Sequence, residues 1–409
     1  MTAIGFHKAK LSPIHLSADA RRRHLYVIGQ TGVGKSTLLE SMALDDIRAG
    51  RGICFIDPHG QSAERIANNI PESRTQDTAY IDYDPEHPFG LNILRTADPR
   101  NKSLTVEHIV SMFWNIWPEN MGPNLEDVLR NSLYLLLDNE HTSLNDTLRL
   151  LTDSDYRARL LRNCTNRVVK HFWQEEFEAK ADKQKAEEIR STTNKLRAFL
   201  SNPHLANILA GPSTLNISHL MNEGKILILN LSKGRWGEKP AKLLGCLFII
   251  AIAQAAEARA DIPEDKRRDF YLYVDEMQNF QNDGFNAILS EARKMRLSLI
   301  LANQFYAQLP PALQAAISGN VGTLVAFRVG ADDSDLIGKI LRHGNPGNLQ
   351  DTANFEAWVR TLADGTPTGP FPIATYPPDR ASLGRFNAVR KRTIAVHSRK
   401  VGTPHVQPS

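Results

Sequence analysis

The 409-residue sequence predicts an α/β fold with a mostly parallel central sheet and an inserted all-α domain. Three observations carry that prediction. Short apolar runs are each followed by a helical pattern, and a glycine-rich turn joins the first run to its helix. From about Asn101 to Asn207, strand signals nearly vanish. With 42% hydrophobic and 23% charged residues, the composition excludes wholesale disorder and fibrous repeats.

The elements follow in order. The run from His24 to Ile28 feeds into Gly29-Gln-Thr-Gly-Val-Gly-Lys-Ser-Thr37, and Leu38 to Arg48 follows at helical spacing until Gly50 stops it. Ile53 to Ile56 reads as a second buried strand closed by Asp57-Pro-His-Gly60, and Ala79 to Asp82 as a weaker third. In the helical stretch, apolar residues recur at three and four, as in Val106, Ile109, Val110 and Phe113, then Leu125, Val128, Leu129, Leu133 and Leu136. The sheet pattern resumes with Lys225 to Leu231, the apolar helix Ala241 to Ala258, and Phe270 to Val274. Further strands are expected at 297–302 and 322–329, with β-like pieces at 357–362 and 371–375, and helices near 285–295, 312–318 and 333–341. The implied organisation is an α/β body at 1–100 and 208–379, an all-α insertion at 101–207 and a basic C-terminal helix or tail at 380–409.

The net charge of +4 hides an asymmetry: Arg380, Arg385, Arg390, Lys391, Arg392, Arg399 and Lys400 lie in the last thirty residues with no acid among them. Such a terminus attracts nucleic acid or an anionic surface, or is a solvated helix. Cys54, Cys164 and Cys246 lack metal-ligand spacing and read as reduced core thiols. The longest apolar run, Leu243 to Ala253, is half of what a bilayer span requires, and the N-terminus has no apolar signal region, so a cytoplasmic protein without an intrinsic membrane span is expected.

Gly29-x-x-x-x-Gly34-Lys35-Ser36 matches the phosphate-binding P-loop in its required strand-to-helix setting. Glycines let successive backbone N–H groups face phosphate oxygens while the following helix points its positive end at them. Gly29, Gln30, Thr31, Gly32, Val33, Gly34, Lys35, Ser36 and Thr37 therefore form the expected nucleotide cradle. Lys35 is expected on the β- and γ-phosphates, Ser36 on Mg²⁺ and Thr37 near the α-phosphate. Asp275 and Glu276 end the run Phe270 to Val274. Asp275 suits the metal, and Glu276 suits a general base that polarises water. Gln304 ends the next strand, where an amide can sense the γ-phosphate. Arg328 ends the one after, where a cation can stabilise transition-state charge in a neighbour's site; a salt bridge to Asp332 or Asp335 is its structural alternative. Arg293 and Arg296 are weaker candidates, and His59 in the Asp57–Gly60 turn is either an orienting group or a plain turn residue.

Read together, these segments resemble the FtsK/HerA superfamily of DNA-pumping ATPases and, within it, the conjugative coupling proteins of type IV secretion (TraD/TraG type). The resemblance rests on RRRHLYVIGQTGVGKSTLL (21–39), ICFIDPHG (53–60), YLYVDEMQNF (271–280), LSEARKMRLSLILANQF (289–305) and GNVGTLVAFRVG (319–330). It implies a RecA-like P-loop NTPase that uses ATP and Mg²⁺ and works as a homo-hexameric ring on DNA without strong sequence preference. It also implies type IV secretion or relaxosome partners, with Gln304 as γ-phosphate sensor and Arg328 as the arginine acting in trans. Membrane-anchored members carry N-terminal spans, whereas about 23 residues precede the first expected strand here, which leaves a soluble member, one that reaches the inner membrane through a partner subunit, or a chain lacking its anchor. Two alternatives stand beside DNA pumping: a secretion-type motor acting on protein, and a nucleotide-gated DNA-binding or assembly protein.

Overall fold

A computed structural model describes the chain except residues 96–100, 281–282, 346, 364, 379–381 and 400–409, and the side chains at 283, 284, 286 and 287. Eleven strands form one sheet: β1 Thr2–His7, β2 Pro13–Leu16, β3 Leu25–Ile28, β4 Gly52–Asp57, β5 Thr78–Ile81, β6 Ile226–Asn230, β7 Phe270–Val274, β8 Leu297–Asn303, β9 Thr323–Ala326, β10 Glu356–Ala363 and β11 Thr366–Ala374. Their order is β2-β1-β11-β10-β9-β3-β8-β7-β4-β6-β5. The seven strands from β9 to β5 run parallel, and β10, β11, β1 and β2 add an antiparallel wing. The register sets Ile28 beside Asn303 and Ala326, and Val274 beside Leu301 and Ile56, so the carboxyl ends of the central strands are level.

The central strands read as continuous apolar runs because both faces are covered. Their period of two divides the side chains between two cores. Leu25, Val27, Ile53, Phe55, Tyr271 and Tyr273 face the helices Lys35–Arg48 and Gln61–Asn68. Tyr26, Ile28, Cys54, Ile56, Leu272 and Val274 join the other core. All three cysteines are buried and reduced.

The second core continues without a break into the helices between residues 102 and 209, among them Lys102–Ile116, Pro123–Leu137 and Asp182–Leu200. The joint is the helix Glu238–Glu257, apolar on every side and packed on Lys102–Ile116. Its amide Gln254 donates to the Ile93 carbonyl (3.3 Å) and the Thr105 hydroxyl (3.1 Å). By length and hydropathy the segment Glu238–Asp261 suffices to cross a membrane, but 78% of its most apolar window is buried inside the protein.

Two regions are organised by partners that the sequence reading did not name. β1 and β2 precede the strand taken as first; Gly5 interrupts their alternation, and β1 is held by β11, some 370 residues away in sequence, as in the pair Phe6 and Ala374. The basic C-terminal segment forms the helix Phe386–His397, which packs on β5 with Val389 and Thr393 buried. The Thr393 hydroxyl accepts from the Tyr80 N–H (2.8 Å). Arg385 pairs with Glu72 (2.8 Å) and Arg390 with Asp84 (2.7 Å), and Arg399 donates to the carbonyls of Asn207, Ala210 and Pro212. Three of the tail's cations thus hold the fold together; Arg380 and Lys400 lie outside the described residues.

A buried polar cluster ties the helix Lys35–Arg48 to β7. Asp46, fully buried, accepts two bonds from Arg21 (2.6 and 2.7 Å) and one each from Tyr273 (2.6 Å), Arg51 (2.8 Å) and Thr2 (3.0 Å). Burial alone would raise the Asp46 carboxyl. The Arg21 charge and these hydrogen bonds outweigh it and hold the carboxyl below its ordinary value.

Candidate nucleotide site

Residues 29–34 leave the end of β3 and curl back into the helix Lys35–Arg48. Gly32 (φ +79°) and Gly34 (φ +116°) hold left-handed conformations that an L side chain resists. Gly29 is required for a different reason: a Cβ there would stand 2.6 Å from that of Phe327. The crest, Thr31 and Gly32, is exposed, whereas Lys35 is only 5% exposed. The Lys35 ammonium turns back on the Gly29 and Gln30 carbonyls (2.7 and 2.9 Å). Burial pushes its pKa down against the opposing charges of Glu276 and Asp275.

Ser36 lies in the first turn of the helix and Asp275 follows β7, 239 residues later; the Ser36 hydroxyl donates to the Asp275 carboxylate at 2.7 Å. Asp275 is 1% exposed, and burial pushes its carboxyl up to about 6. The Ser36 bond and Lys35 pull it down, while the charges of Glu276 and Asp57 push it further up. One hydroxyl and one carboxylate in mutual contact are hard oxygen donors of the kind Mg²⁺ takes, and the buried Lys35 beside them is the complement of a polyanion. The residues fit a magnesium-bound triphosphate.

Glu276 holds a left-handed backbone (φ +48°, ψ +54°), uncommon for a non-glycine residue and costing about 1–3 kcal/mol. Its carboxylate is clamped on both oxygens, by Gln304 Nε2 (2.7 Å) and Gln278 Nε2 (2.6 Å). Gln304 in turn accepts from the Thr31 hydroxyl at 3.0 Å, so the crest of the glycine turn reaches Glu276 through a single amide. Gln278 was not foreseen. The only sequence signal was its position two residues after Glu276.

Arg328 has local partners, and they are not the Asp332 or Asp335 carboxylates named as its alternative. Its guanidinium donates to the Gln30 side chain (3.2 Å), the Asn354 side chain (3.0 Å) and the Thr352 carbonyl (3.5 Å), all neutral oxygens of its own chain. The Arg328 carbonyl also accepts from the Gln30 N–H at 2.8 Å. Arg293 and Arg296 lie before β8, at the sheet edge opposite the glycine turn, where they face Asp19 and Asp269. Asp57 caps the next helix, accepting from the His59 and Ala63 N–H groups (2.8 and 3.0 Å), while His59 itself is exposed. Thr37 is half-buried in the helix's first turn.

A glycine turn and a helix start at the carboxyl edge of a parallel sheet, facing a carboxylate pair on a strand one removed from β3, define a P-loop nucleotide-binding protein. The family model for the central domain of the helicase HerA matches residues 2–242, more than half of the chain, and the protein belongs to that family. No curated protein matches significantly. Among solved structures, the unbound bacterial conjugative coupling protein TrwBdeltaN70 is similar at 14% identity and TM-score 0.67, over 95% of this chain and 91% of that one. The plasmid coupling protein TrwB in complex with ADP and Mg²⁺ is similar at 15% and 0.64, over 93% and 96%. VirB4 of Thermoanaerobacter pseudethanolicus is similar at 14% and 0.61, over 92% and 96%. These likenesses establish the shared RecA-like fold.

Proposed function

We propose that the protein is an ATP-hydrolysing motor that moves DNA through a ring of identical subunits, of the type that couples conjugative transfer to type IV secretion. The observation that carries the reading is the 2.7 Å contact of Ser36 with Asp275, with Lys35 buried beside it and Glu276 clamped next along. Membership of the HerA family supports the motor class, and the shared fold with a coupling protein that takes ADP and Mg²⁺ supports the cofactors.

In this reading the amides of residues 29–34 and the Lys35 ammonium hold the β- and γ-phosphates, while Ser36 and Asp275 hold Mg²⁺. Held by Ser36 and Asp275, Mg²⁺ would offset the charge on the phosphates. Gln304 positions the water against the γ-phosphorus. Glu276 accepts that water's proton as the new P–O bond forms and the bond to the β-phosphate oxygen breaks. Entry of the γ-phosphate draws Thr31 off Gln304, which frees the Gln304 carbonyl oxygen to accept from the attacking water. Arg328, anchored on Gln30, senses the loop in its own site and presents charge toward a neighbouring subunit. The motor body comprises 1–100 and 208–379, the all-α insertion 101–207 and the basic segment 380–409. DNA is gripped through backbone phosphates, hence without sequence preference, at the cytoplasmic face of the inner membrane beside secretion or relaxosome partners.

The test is ATP turnover of the wild type and Lys35→Ala with and without single- and double-stranded DNA, at two salt concentrations. Turnover stimulated by DNA, falling steeply with salt and absent in Lys35→Ala, is expected. Turnover indifferent to DNA transfers the motor to a protein substrate. Full function in Glu276→Gln reduces the protein to a nucleotide-gated switch.

A further inference from the structure

The nucleotide reading accounts for the phosphates and leaves the nucleoside without a partner. The sheet order decides where that end lies. Asp275, Glu276 and Gln304 follow β7 and β8, on one side of β3, so the γ-phosphate points to that side. The other end of the same molecule leaves toward β9 and β10. There, immediately before β10, stands Phe355.

Three features set Phe355 apart. Its ring edges against the glycine turn: a Cβ on Gly34 would meet ring carbon Cδ1 at 2.9 Å. It is 38% exposed although its neighbour Phe327 is fully buried, so an aromatic face beside the cradle meets solvent. Its backbone is left-handed (φ +63°), a conformation an aromatic residue adopts only when its surroundings impose it. The surroundings do so here. The Phe355 N–H donates to the Val33 carbonyl (2.8 Å), and its carbonyl accepts from the Thr375 N–H (2.8 Å) and hydroxyl (3.0 Å). The preceding residue, Asn354, is held by Arg328.

We infer that Phe355 is the stacking platform for the nucleoside of the bound triphosphate. The inference rests on the nucleotide reading above. A pre-set ring face adds affinity without the cost of ordering a loop, and it accepts a base by its flat face. The backbone link from Phe355 to Val33 places platform and phosphate cradle on one rigid unit.

Calorimetric titration of the full chain with Mg²⁺·ATP and, separately, with Mg²⁺·inorganic tripolyphosphate tests the inference, because the second probe has the phosphates and no base. Phe355→Ala is expected to weaken ATP binding roughly tenfold and to leave tripolyphosphate within about twofold. Phe355→Leu, which keeps an apolar contact on Gly34, is expected to behave like Ala, and Phe355→Trp to retain ATP affinity. Unchanged ATP binding in Phe355→Ala or Phe355→Leu overturns the inference, as does equal weakening of both probes, which marks a loop-packing role. Failure of the wild type to bind either probe overturns the nucleotide reading itself.

Discussion

The helix Lys35–Arg48 meets β7 and the residue after it through two buried carboxylates that differ in every respect except burial. Asp46 is 0% exposed and Asp275 1%. Asp46 accepts five hydrogen bonds, three of them from arginines, and its carboxyl is held below the ordinary range. Asp275 accepts from the Ser36 hydroxyl and the Glu276 N–H, and its carboxyl is raised to about 6. Around Asp46 both carboxylate oxygens are held by hydrogen bonds from arginines and hydroxyls. Around Asp275, a second carboxylate, a strained backbone and a desolvated lysine are left together. The same two elements are clamped at one contact and poised at the other, where the donor set is the complement of a polyanion with its cation.

The comparison can be broken from either side. The largest effect on activity is expected from Lys35→Ala, which removes the cation from the poised contact and lowers turnover by about 10³-fold or more, read in a phosphate-release assay, with the melting temperature little changed. The largest effect on stability is expected from Asp46→Ala. It leaves Arg21 buried without its carboxylate and costs about 3–5 kcal/mol, measured by denaturant unfolding. Asp275→Asn, in an equally buried place, is expected to be neutral or stabilising in the nucleotide-free protein, because it removes an under-solvated charge. If Asp275→Asn is as damaging as Asp46→Ala, the contrast is void.

The Asp46 cluster also has a pH signature. Its folded carboxyl titrates below the ordinary value of about 3.9, so its contribution is complete above that value and is lost as pH falls through the lower folded value. Denaturation midpoints between pH 6 and pH 3 should fall less steeply in Asp46→Asn than in the wild type. The smallest effect is expected from Thr31→Val. Removing the hydroxyl on Gln304 loosens the hold on Glu276 and changes turnover by about two- to tenfold, with ATP affinity unchanged in the same titration.

The seven parallel strands and the glycine turn were legible because they are local: a buried strand and a P-loop are written in consecutive residues. The acidic pair was legible from the strand it ends. What escaped depends on distant partners. β1 is paired on one side by β2 and on the other by the distant β11, and an irregularity between Ala3 and Gly5 hides its alternation. The partners of Arg328 were not legible because Gln30 is far from it in sequence and Asn354 lies on the next loop. The basic tail reads as free charge because Glu72, Asp84 and the carbonyls near residue 210 lie some 190 to 310 positions earlier. Gln278 was hidden for a different reason: an amide two residues past an acid is ordinary until the backbone turns left-handed at Glu276.

The most direct measurement is calorimetric titration of ATP into Glu276→Gln, with and without Mg²⁺, and into the same protein carrying Asp275→Asn. Binding at one site per chain that requires Mg²⁺ and is lost with Asp275→Asn is the result expected if the Ser36–Asp275 contact is the metal end of a nucleotide site. Binding that is equally tight without Mg²⁺, or unaffected by Asp275→Asn, would contradict it.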